Sequence, residues 1–356
     1  MALTQAFVGW PTILAQLLER RDLGAELAES AITEILNGVA TPSQMTAFIV
    51  ALRAKGETTE ELEGMLRAVR AAGGRVHLEP SLATRTIDIV GTGGDKSNSV
   101  NVSTMSALVV AGAGAPVCKH GNRAASSKCG AADLLEAAGV VIELDPAGVQ
   151  ASVEEADFGF CLAARFHPAF RYTAPSRREI GVPTAFNLLG PMANPAPISN
   201  MLVGVAMPNM MDRMADALAS RGVTSAWVVH GHGGLDELAV SGPNTVFELH
   251  DGQVHTFEVN AKDFGIAVST LDDIRGGEPE DNLAILRDTF AGKPGPVRDI
   301  VTFNAGCALY VAGIAEDVSD GIERARASID SGAAVAVLEN VIAITHREAT
   351  RMETQP

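Results

Sequence analysis

The sequence predicts an α/β fold: a large α/β domain with a mainly parallel central sheet, preceded by a small all-helical N-terminal domain. Three observations predict it. Only helical patterning fills residues 1–82, strand-like apolar runs begin at Arg85, and strands and helices alternate from there on. A length of 356 residues favours two domains.

In the helical part, Ala25–Asn37 sets Leu27, Ile32, Ile35 and Leu36 at helical spacing and ends at Gly38, a C-terminal cap. Thr41-Pro42 supplies an N-cap and a first-turn proline for a helix over Gln44–Lys55, which stops at Gly56. Thr58 and Glu61 fit a capping box whose helix runs to Gly73-Gly74. So small a cluster holds little core of its own, which predicts packing on another domain or a second subunit.

In the second part, Arg85–Val90 reads as a strand, followed by a glycine turn and a helix over Val102–Gly112. Ala115–Cys118 is a second strand, and a long polar loop leads to a helix over Ala131–Ala138. Val140–Glu143 is expected as a third strand. Met201–Ala206, Ala226–His230 and Val297–Ile300 resemble buried strands or strand-to-helix junctions, with helices over Met210–Ser220 and Asn304–Val311 between them. Residues 349–356 look expendable.

The formal net charge of −16 argues against nucleic-acid and anionic-membrane binding, which need a basic stripe. Cys118, Cys129, Cys161 and Cys307 form no C-x-x-C pair and no zinc spacing, so free, buried thiols in a reducing cytoplasm are expected. The N-terminus has no basic lead before an apolar run, so no signal peptide is expected. No uninterrupted apolar stretch reaches the roughly 18 residues of a membrane span.

Charge is distributed unevenly. From Lys96 to Ala132 there is no Asp or Glu, although the protein carries 43 of them, while Lys96, Lys119, Arg123 and Lys128 fall inside the span. A second acid-free span, Phe158 to Arg178, carries Arg165, Arg171, Arg177 and Arg178. A bound phosphate is opposed by nearby carboxylates, so two such islands in an acidic chain point to an anion site. Core segments such as Val102–Pro116 would lack charge for reasons of burial alone.

Gly91-Thr-Gly-Gly-Asp95 lies between a strand and a helix, where backbone N–H groups and the helix dipole can meet phosphate oxygens. Ser97, Asn98, Ser99, Asn101, Ser103 and Thr104 add hydroxyls and amides around the same helix start. Such glycine turns are structural as often as functional, and this one is neither a P-loop nor the G-x-G-x-x-G fingerprint. Asp95 would repel a phosphate, and makes sense facing a ribose hydroxyl, the loop itself or an amine. Lys119-His-Gly-Asn-Arg-Ala-Ala-Ser-Ser127 is more specific, because lysine, arginine, asparagine and two serines before a helix can hold several phosphate oxygens. Two cradles suit a ligand with two separated phosphate groups.

Asp236-Glu237, after the turn His230-Gly-His-Gly-Gly-Leu235, suits Mg²⁺, although adjacent acids are more often a solvated surface. His230 and His232 lack a third ligand at a spacing that fits a transition metal. Arg177 or Arg178 could hold a substrate carboxylate through paired hydrogen bonds, or simply form surface ion pairs.

Taken together, GTGGD (91–95), NVST (101–104), KHGNRAASS (119–127), RREIGVPTAFNLLGPMANP (177–195) and LDE (235–237) closely resemble the anthranilate phosphoribosyltransferase family of tryptophan biosynthesis. The resemblance runs to about residue 345. It implies the nucleoside phosphorylase/phosphoribosyltransferase type of fold. The helical domain would then be residues 1–82, completed by about 171–188, and the large domain 83–170 and 189–356. It implies attack by the anthranilate amine on C1 of phosphoribosyl diphosphate, with two Mg²⁺ ions per subunit, in a cytoplasmic homodimer joined through the helical domains.

Position by position, the resemblance places Gly91, Gly94, Asp95, Ser99, Asn101, Val102, Ser103 and Thr104 against phosphoribosyl diphosphate. Lys119, His120, Gly121, Asn122, Arg123, Ala124, Ala125, Ser126 and Ser127, with Ala131, would complete that site. Ser103, Asp236 and Glu237 would hold Mg²⁺, and Gly91, Asn122 and Arg177 would contact anthranilate. His120 and His167 would line the pocket. Ala131 stands where many relatives have serine, and Ser99 where threonine is common. The rival readings are a pyrimidine nucleoside phosphorylase of the same fold, which the carboxylate pair and second cradle disfavour, and a nucleic-acid-binding relative, which the charge disfavours. A purely structural role is hard to reconcile with two acid-free polar loops.

Overall fold

Caps written in the sequence set the first helices. The computed structural model describes residues 7–124 and 127–354, and begins with α1 (Trp10–Leu18), α2 (Gly24–Leu36), α3 (Pro42–Lys55) and α4 (Thr59–Ala72). Thr41 with Gln44, and Thr58 with Glu61, close capping boxes at the starts of α3 and α4. The buried Glu61 carboxylate also accepts from the Leu23 N–H and the Lys55 ammonium, which pins α4 to the start of α2.

One turn of helix, α5 (Pro80–Ala83), leads to β1 (Ile87–Gly91), α6 (Val102–Gly112), β2 (Val117–Gly121), α7 (Ala131–Ala137), α8 (Pro146–Ala156) and β3 (Phe158–Leu162). Then follow α9 (Ala163–Phe166), α10 (Ala174–Ile180), α11 (Ala185–Met192), β4 (Asn200–Gly204), α12 (Met211–Arg221) and β5 (Ser225–His230). The hairpin β6 (Asn244–His250) and β7 (Gln253–Val259) precedes α13 (Pro279–Phe290), α14 (Pro296–Val311), α15 (Val318–Asp330) and α16 (Ala333–Thr354).

The strands form one sheet in the order β3-β2-β1-β4-β5-β6-β7. β1 to β5 pair in parallel, and β6 and β7 add an antiparallel edge. From β1 the chain steps outward through β2 and β3, then returns to the other side of β1 with β4. Loops leaving β1 and β4 therefore diverge, and a crevice opens at the C-terminal ends of the strands.

The parallel strands are covered on both faces, so both alternating residue sets are apolar. Ile87, Ile89, Leu202 and Val229 join a cluster with α6, α14 and α15. Met201, Val203, Ala226 and Val228 join a second cluster with α11 and α12, which continues into the bundle through Phe48, Leu62 and Met65. The bundle thus shares its core with one face of the sheet, which is how so short a helical segment is stabilised. The turn Pro168–Tyr172 rests on α2, and α10 on α3. No single helix among the described residues is long and apolar enough to cross a membrane.

Three expectations are corrected. Val140–Glu143 is not a strand: Val140, Ile142 and Leu144 alternate inward, but the Val141 N–H donates to Thr345 Oγ1 and the place beside β2 belongs to β3. Alternating burial produced the strand pattern without strand pairing. Val297–Ile300 lies in α14, which Pro296 opens at its first position. Residues 349–354 continue α16, where Arg351 pairs with Asp145 at 2.6 Å and Met352 packs on the core.

Candidate active site

A cavity of about 600 Å³ sits in the crevice, walled by the turn after β1, the start of α6, the loop after β2, and the segment 236–237. Gly91, Gly94, Asp95, Ser99, Asn101, Ser103, Thr104, Lys119, His120, Gly121, Asn122, Arg123, Ala124, Ser127, Ala131, Asp236 and Glu237 all line it. Val102 does not, being a fully buried core residue. Ala125 and Ser126 lie outside the described residues. Arg177 lies apart from this cavity, and Asn187, absent from the sequence reading, lines it.

Glycine shapes the floor. Gly93 and Gly94 take φ of 69° and 84°, a region L side chains avoid, and the turned Gly93 N–H donates to Asp236 Oδ2 at 2.6 Å. Gly91 and Gly204 are register partners on β1 and β4. A Cβ on Gly204 would fall 1.5 Å from the Asp236 carbonyl oxygen, and one on Gly91 would fall 2.3 Å from Asp236 Oδ2. The bare strand ends are what let the acidic segment cross directly over the sheet.

Three carboxylates converge there. Ligand atoms of Asp95, Asp236 and Glu237 lie within 4.8 Å of one another. Burial pushes the Asp236 carboxyl up, and the charge of Asp95 adds to it. Burial and the charges of Asp236 and Asp95 raise Glu237 well above its ordinary value, against the pull of Lys119. Glu237 Oε2 is buried with no hydrogen-bond partner. Crowded acids with an orphaned oxygen are the donor set of a hard divalent cation. Asp95 joins Asp236 and Glu237 in this cluster, whereas the Ser103 hydroxyl accepts from the Lys119 ammonium at 3.3 Å.

Lys119 is buried beneath this floor and donates to the Ile89 carbonyl. Burial lowers its pKa, against the pull of Asp88, Glu237 and Asp236. Asp88 is fully buried in the middle of β1, where it accepts from the His120 N–H at 3.2 Å and from Asn194 Nδ2 at 2.8 Å. Burial pushes Asp88 up to about 6, opposed first by Lys119. Asn194 also donates to the Cys118 carbonyl, so Asp88 and Asn194 together fix the backbone that carries Lys119 and His120. A carboxylate inside an apolar strand was a signal for Asp88, because buried acids need partners. Asn282 was not foreseen either. Its amide donates to Asn101 Oδ1, and Asn101 in turn donates to the Cys129 carbonyl, which ties the two loops together.

Arg123 carries the loop's second charge, but its guanidinium pairs with Glu136 at 2.7 Å and Asp133 at 3.2 Å, just beyond the acid-free span. The second acid-free span is less compensated. Arg165, Arg171, Arg177 and Arg178 have no carboxylate partner among the described residues. Arg177, half-buried on α10, lies 5.5 Å from the centre of the Phe186 ring. Aromatic rings lead from there to the cavity wall: Phe186 to Phe170 at 6.0 Å, Phe170 to His167 at 5.7 Å, and His167 to His120 at 5.2 Å. Burial and the neighbouring His167 hold His120 well below its ordinary pKa, so it is neutral. Its Nδ1 meets the Gly190 carbonyl and therefore carries the proton, which leaves buried Nε2 as an unpartnered acceptor.

The four cysteines are free and buried, as expected. Family models support the two-part organisation: one described as glycosyl transferase family, helical bundle domain, matches residues 11–73, and another, glycosyl transferase family, a/b domain, matches residues 83–335. The chain is 46% identical over 334 residues to an anthranilate phosphoribosyltransferase of Roseiflexus castenholzii, spanning 93% of this chain and 97% of that one. It is 47% identical over 347 residues to one of Rhodococcus jostii, spanning 96% and 94%. The crystal structure of the Thermus thermophilus enzyme superposes with a TM-score of 0.87 at 40% identity, covering 94% of this chain and 99% of that one. The Saccharomyces cerevisiae enzyme in complex with PRPP and Mg superposes with a TM-score of 0.86 at 27% identity, covering 95% and 98%. With matches across nearly its whole length and an α/β sheet carrying these loops, the chain belongs to the anthranilate phosphoribosyltransferase family.

Proposed function

We propose that this protein transfers the 5-phosphoribosyl group from phosphoribosyl diphosphate to the amine of anthranilate, giving N-(5-phosphoribosyl)anthranilate and diphosphate in tryptophan biosynthesis. The observation that carries this reading is the convergence on one cavity of the glycine turn, the Lys119 loop and the Asp95–Asp236–Glu237 cluster. The relatives bear the same activity in their names, and one yeast structure holds 4-fluoroanthranilate.

The carboxylate cluster fits Mg²⁺, which when bound would neutralise charge building on the leaving diphosphate. Asp236 and Glu237 would hold it, with Asp95 and the Ser103 hydroxyl alongside, for two ions per subunit. Lys119 contributes a fixed positive field from below, and its bonds to Ile89 and Ser103 mean it need not reorganise as charge develops. N–H groups and hydroxyls from Gly91 to Thr104, and from His120 to Ser127, would receive phosphate and ribose oxygens. Arg123 reaches a phosphate only by leaving Glu136 and Asp133.

At the other end, the row of rings from His120 through His167 and Phe170 to Phe186 would give an aromatic substrate apolar surface to rest against. Arg177, freed of any carboxylate of the chain's own among the described residues, offers a bidentate partner for the substrate carboxylate. Gly91 and Asn122 would face the same substrate. The neutral arylamine attacks C1 as the C1–oxygen bond to diphosphate breaks. The ammonium proton so formed passes to water or to a pocket carboxylate, so no dedicated base is required. We place the protein in the cytoplasm as a homodimer, with a bundle of residues 1–82 completed by about 171–188 and a large domain of 83–170 and 189–356.

Loss of anthranilate fluorescence on mixing with phosphoribosyl diphosphate, with and without Mg²⁺, tests the reaction. A Mg²⁺-dependent loss that needs both substrates is expected. Unchanged fluorescence with Mg²⁺ and both substrates present would overturn the assignment.

A further inference from the structure

A second cavity, of about 440 Å³, lies where the chain crosses from α4 to the sheet domain, and shares no lining residue with the first. One wall is the end of α4 with Arg67 and Arg70, and the crossing segment adds Arg75 and His77. Ala193-Asn-Pro195 and His167 line it as well. None of its lining residues is acidic, in a protein with net charge −16.

Arg67 is paired with Glu29 at 2.8 Å, but Arg70 and Arg75 have no carboxylate partner among the described residues. Arg221 donates to the Met192, Asn194 and Ala196 carbonyls and so sits against the segment that carries Ala193–Pro195. Its charge and that of Arg70 repel each other, and the buried Asp88 is the acid that acts on Arg221. Burial and the charge of Arg75 lower the pKa of Arg70, and burial with the charge of Arg70 lowers that of Arg221 to about 9. Arg70 and Arg75, without a carboxylate among the described residues, leave the cluster net positive.

A second feature is independent of charge. His167 is only 4% exposed, and its Nε2 meets the Ala193 carbonyl at 3.0 Å and so carries the proton. Its buried Nδ1 meets no hydrogen-bond donor, and its neighbour in the chain is another acceptor, the Val69 carbonyl. Gly73 keeps the space beside that nitrogen open, since a Cβ there would lie 2.6 Å from it. A buried acceptor without a donor is costly, and implies a donor that arrives from outside the chain.

We propose that this cavity binds a small phosphate-type oxyanion, with its charged oxygens on Arg70 and Arg75 and its remaining O–H donated to His167 Nδ1. Hydrogen phosphate satisfies both demands: it carries negative charge for two guanidinium forks and retains one proton to donate. An ionised carboxylate meets only the first. Because Arg70 belongs to the bundle and Ala193–Pro195 to the segment that Asn194 anchors to Asp88, the bound ion would brace the bundle against the strands that carry Lys119.

The test is calorimetric titration of inorganic phosphate into the full-length protein, with the first cavity filled by one equivalent of phosphoribosyl diphosphate and Mg²⁺. One phosphate per subunit is expected, with affinity falling about tenfold or more in Arg70→Gln/Arg75→Gln. Arg75→Gln alone, an exposed change that spares the fold, should show an intermediate loss. Acetate should bind at least about tenfold more weakly than phosphate. No phosphate uptake by the wild type, equal uptake by the arginine variants, or acetate matching phosphate would each overturn the proposal. If the first cavity does not take phosphoribosyl diphosphate at all, the second site is still read as the share of phosphate binding that the arginine variants remove.

Discussion

At the scale of single residues, the acids of the site store electrostatic energy that a cation releases. Asp236 and Glu237 hold their protons more tightly in the folded chain than their ordinary values of 3.8 and 4.5 would allow. Upward from those values, the folded form binds more protons than the unfolded form, so stability falls as pH rises. Metal-free protein should therefore melt at progressively lower temperature as pH is raised from about 4 through neutrality. Added Mg²⁺ should flatten that trend, and so should Asp236→Asn combined with Glu237→Gln. The same double variant should lose Mg²⁺-dependent turnover by on the order of a hundredfold or more with its circular dichroism unchanged. Full activity in it would remove the metal assignment. Arg177 acts at the other end. Arg177→Ala should raise the KM for anthranilate about tenfold or more and leave that for phosphoribosyl diphosphate alone. A rise in the second KM instead would move Arg177 away from the aromatic substrate.

At the scale of elements, the site depends on what strands lack. Gly91 and Gly204 face each other in register, and the Asp236 backbone lies over them. Gly204→Ala would push that segment outward, and Gly91→Ala would press on its carboxylate. Both should weaken Mg²⁺ binding, measured calorimetrically with phosphoribosyl diphosphate present, by about tenfold or more, since the ligands would no longer converge. Wild-type affinity in both variants would show that the glycines are incidental. Much at this scale was legible beforehand. The capping boxes of α3 and α4, the bounds of α6 and the two loops that wall the cavity follow from local chemistry that sequence displays directly. Pairing partners are not displayed, and so Val140–Glu143 passed for a strand. The hairpin β6–β7 went unread despite its signal, Asp251-Gly252, whose φ of 47° and 79° suit a tight hairpin turn. Asn282 came to light only when distant segments met, because nothing local marks the partner of a buried amide.

At the scale of the whole molecule, the exposed large apolar side chains are unevenly placed. Among the described residues, Val8, Leu18, Val39 and Val50 lie on the bundle, Tyr172 and Val182 on the segment beside it, and only Val254 and Val268 elsewhere. Leu18 is the most exposed, at 76%. This distribution supports the proposed dimer through the helical end. Sedimentation should give twice the chain mass, and Leu18→Glu should shift it toward a single chain. An unshifted dimer would place the interface elsewhere. The net charge belongs to this scale too. It is strongly negative overall, yet the first acid-free span walls the crevice, so Lys119 and Arg123 stand there among the acids of the carboxylate cluster and of α7.

The bare strand ends beneath Asp236 have a consequence for how such a protein can change. One end of the crevice takes its geometry from main-chain register, where no side chain can be exchanged without displacing the acids. The acceptor side is a row of rings and one guanidinium, where each side chain can be exchanged without moving the main chain of the donor end. Variation in the acceptor should accumulate among Phe170, Arg177 and Phe186, while the donor end tolerates almost none. Selection for a new acceptor therefore starts from a half whose side chains can change and a half that is locked.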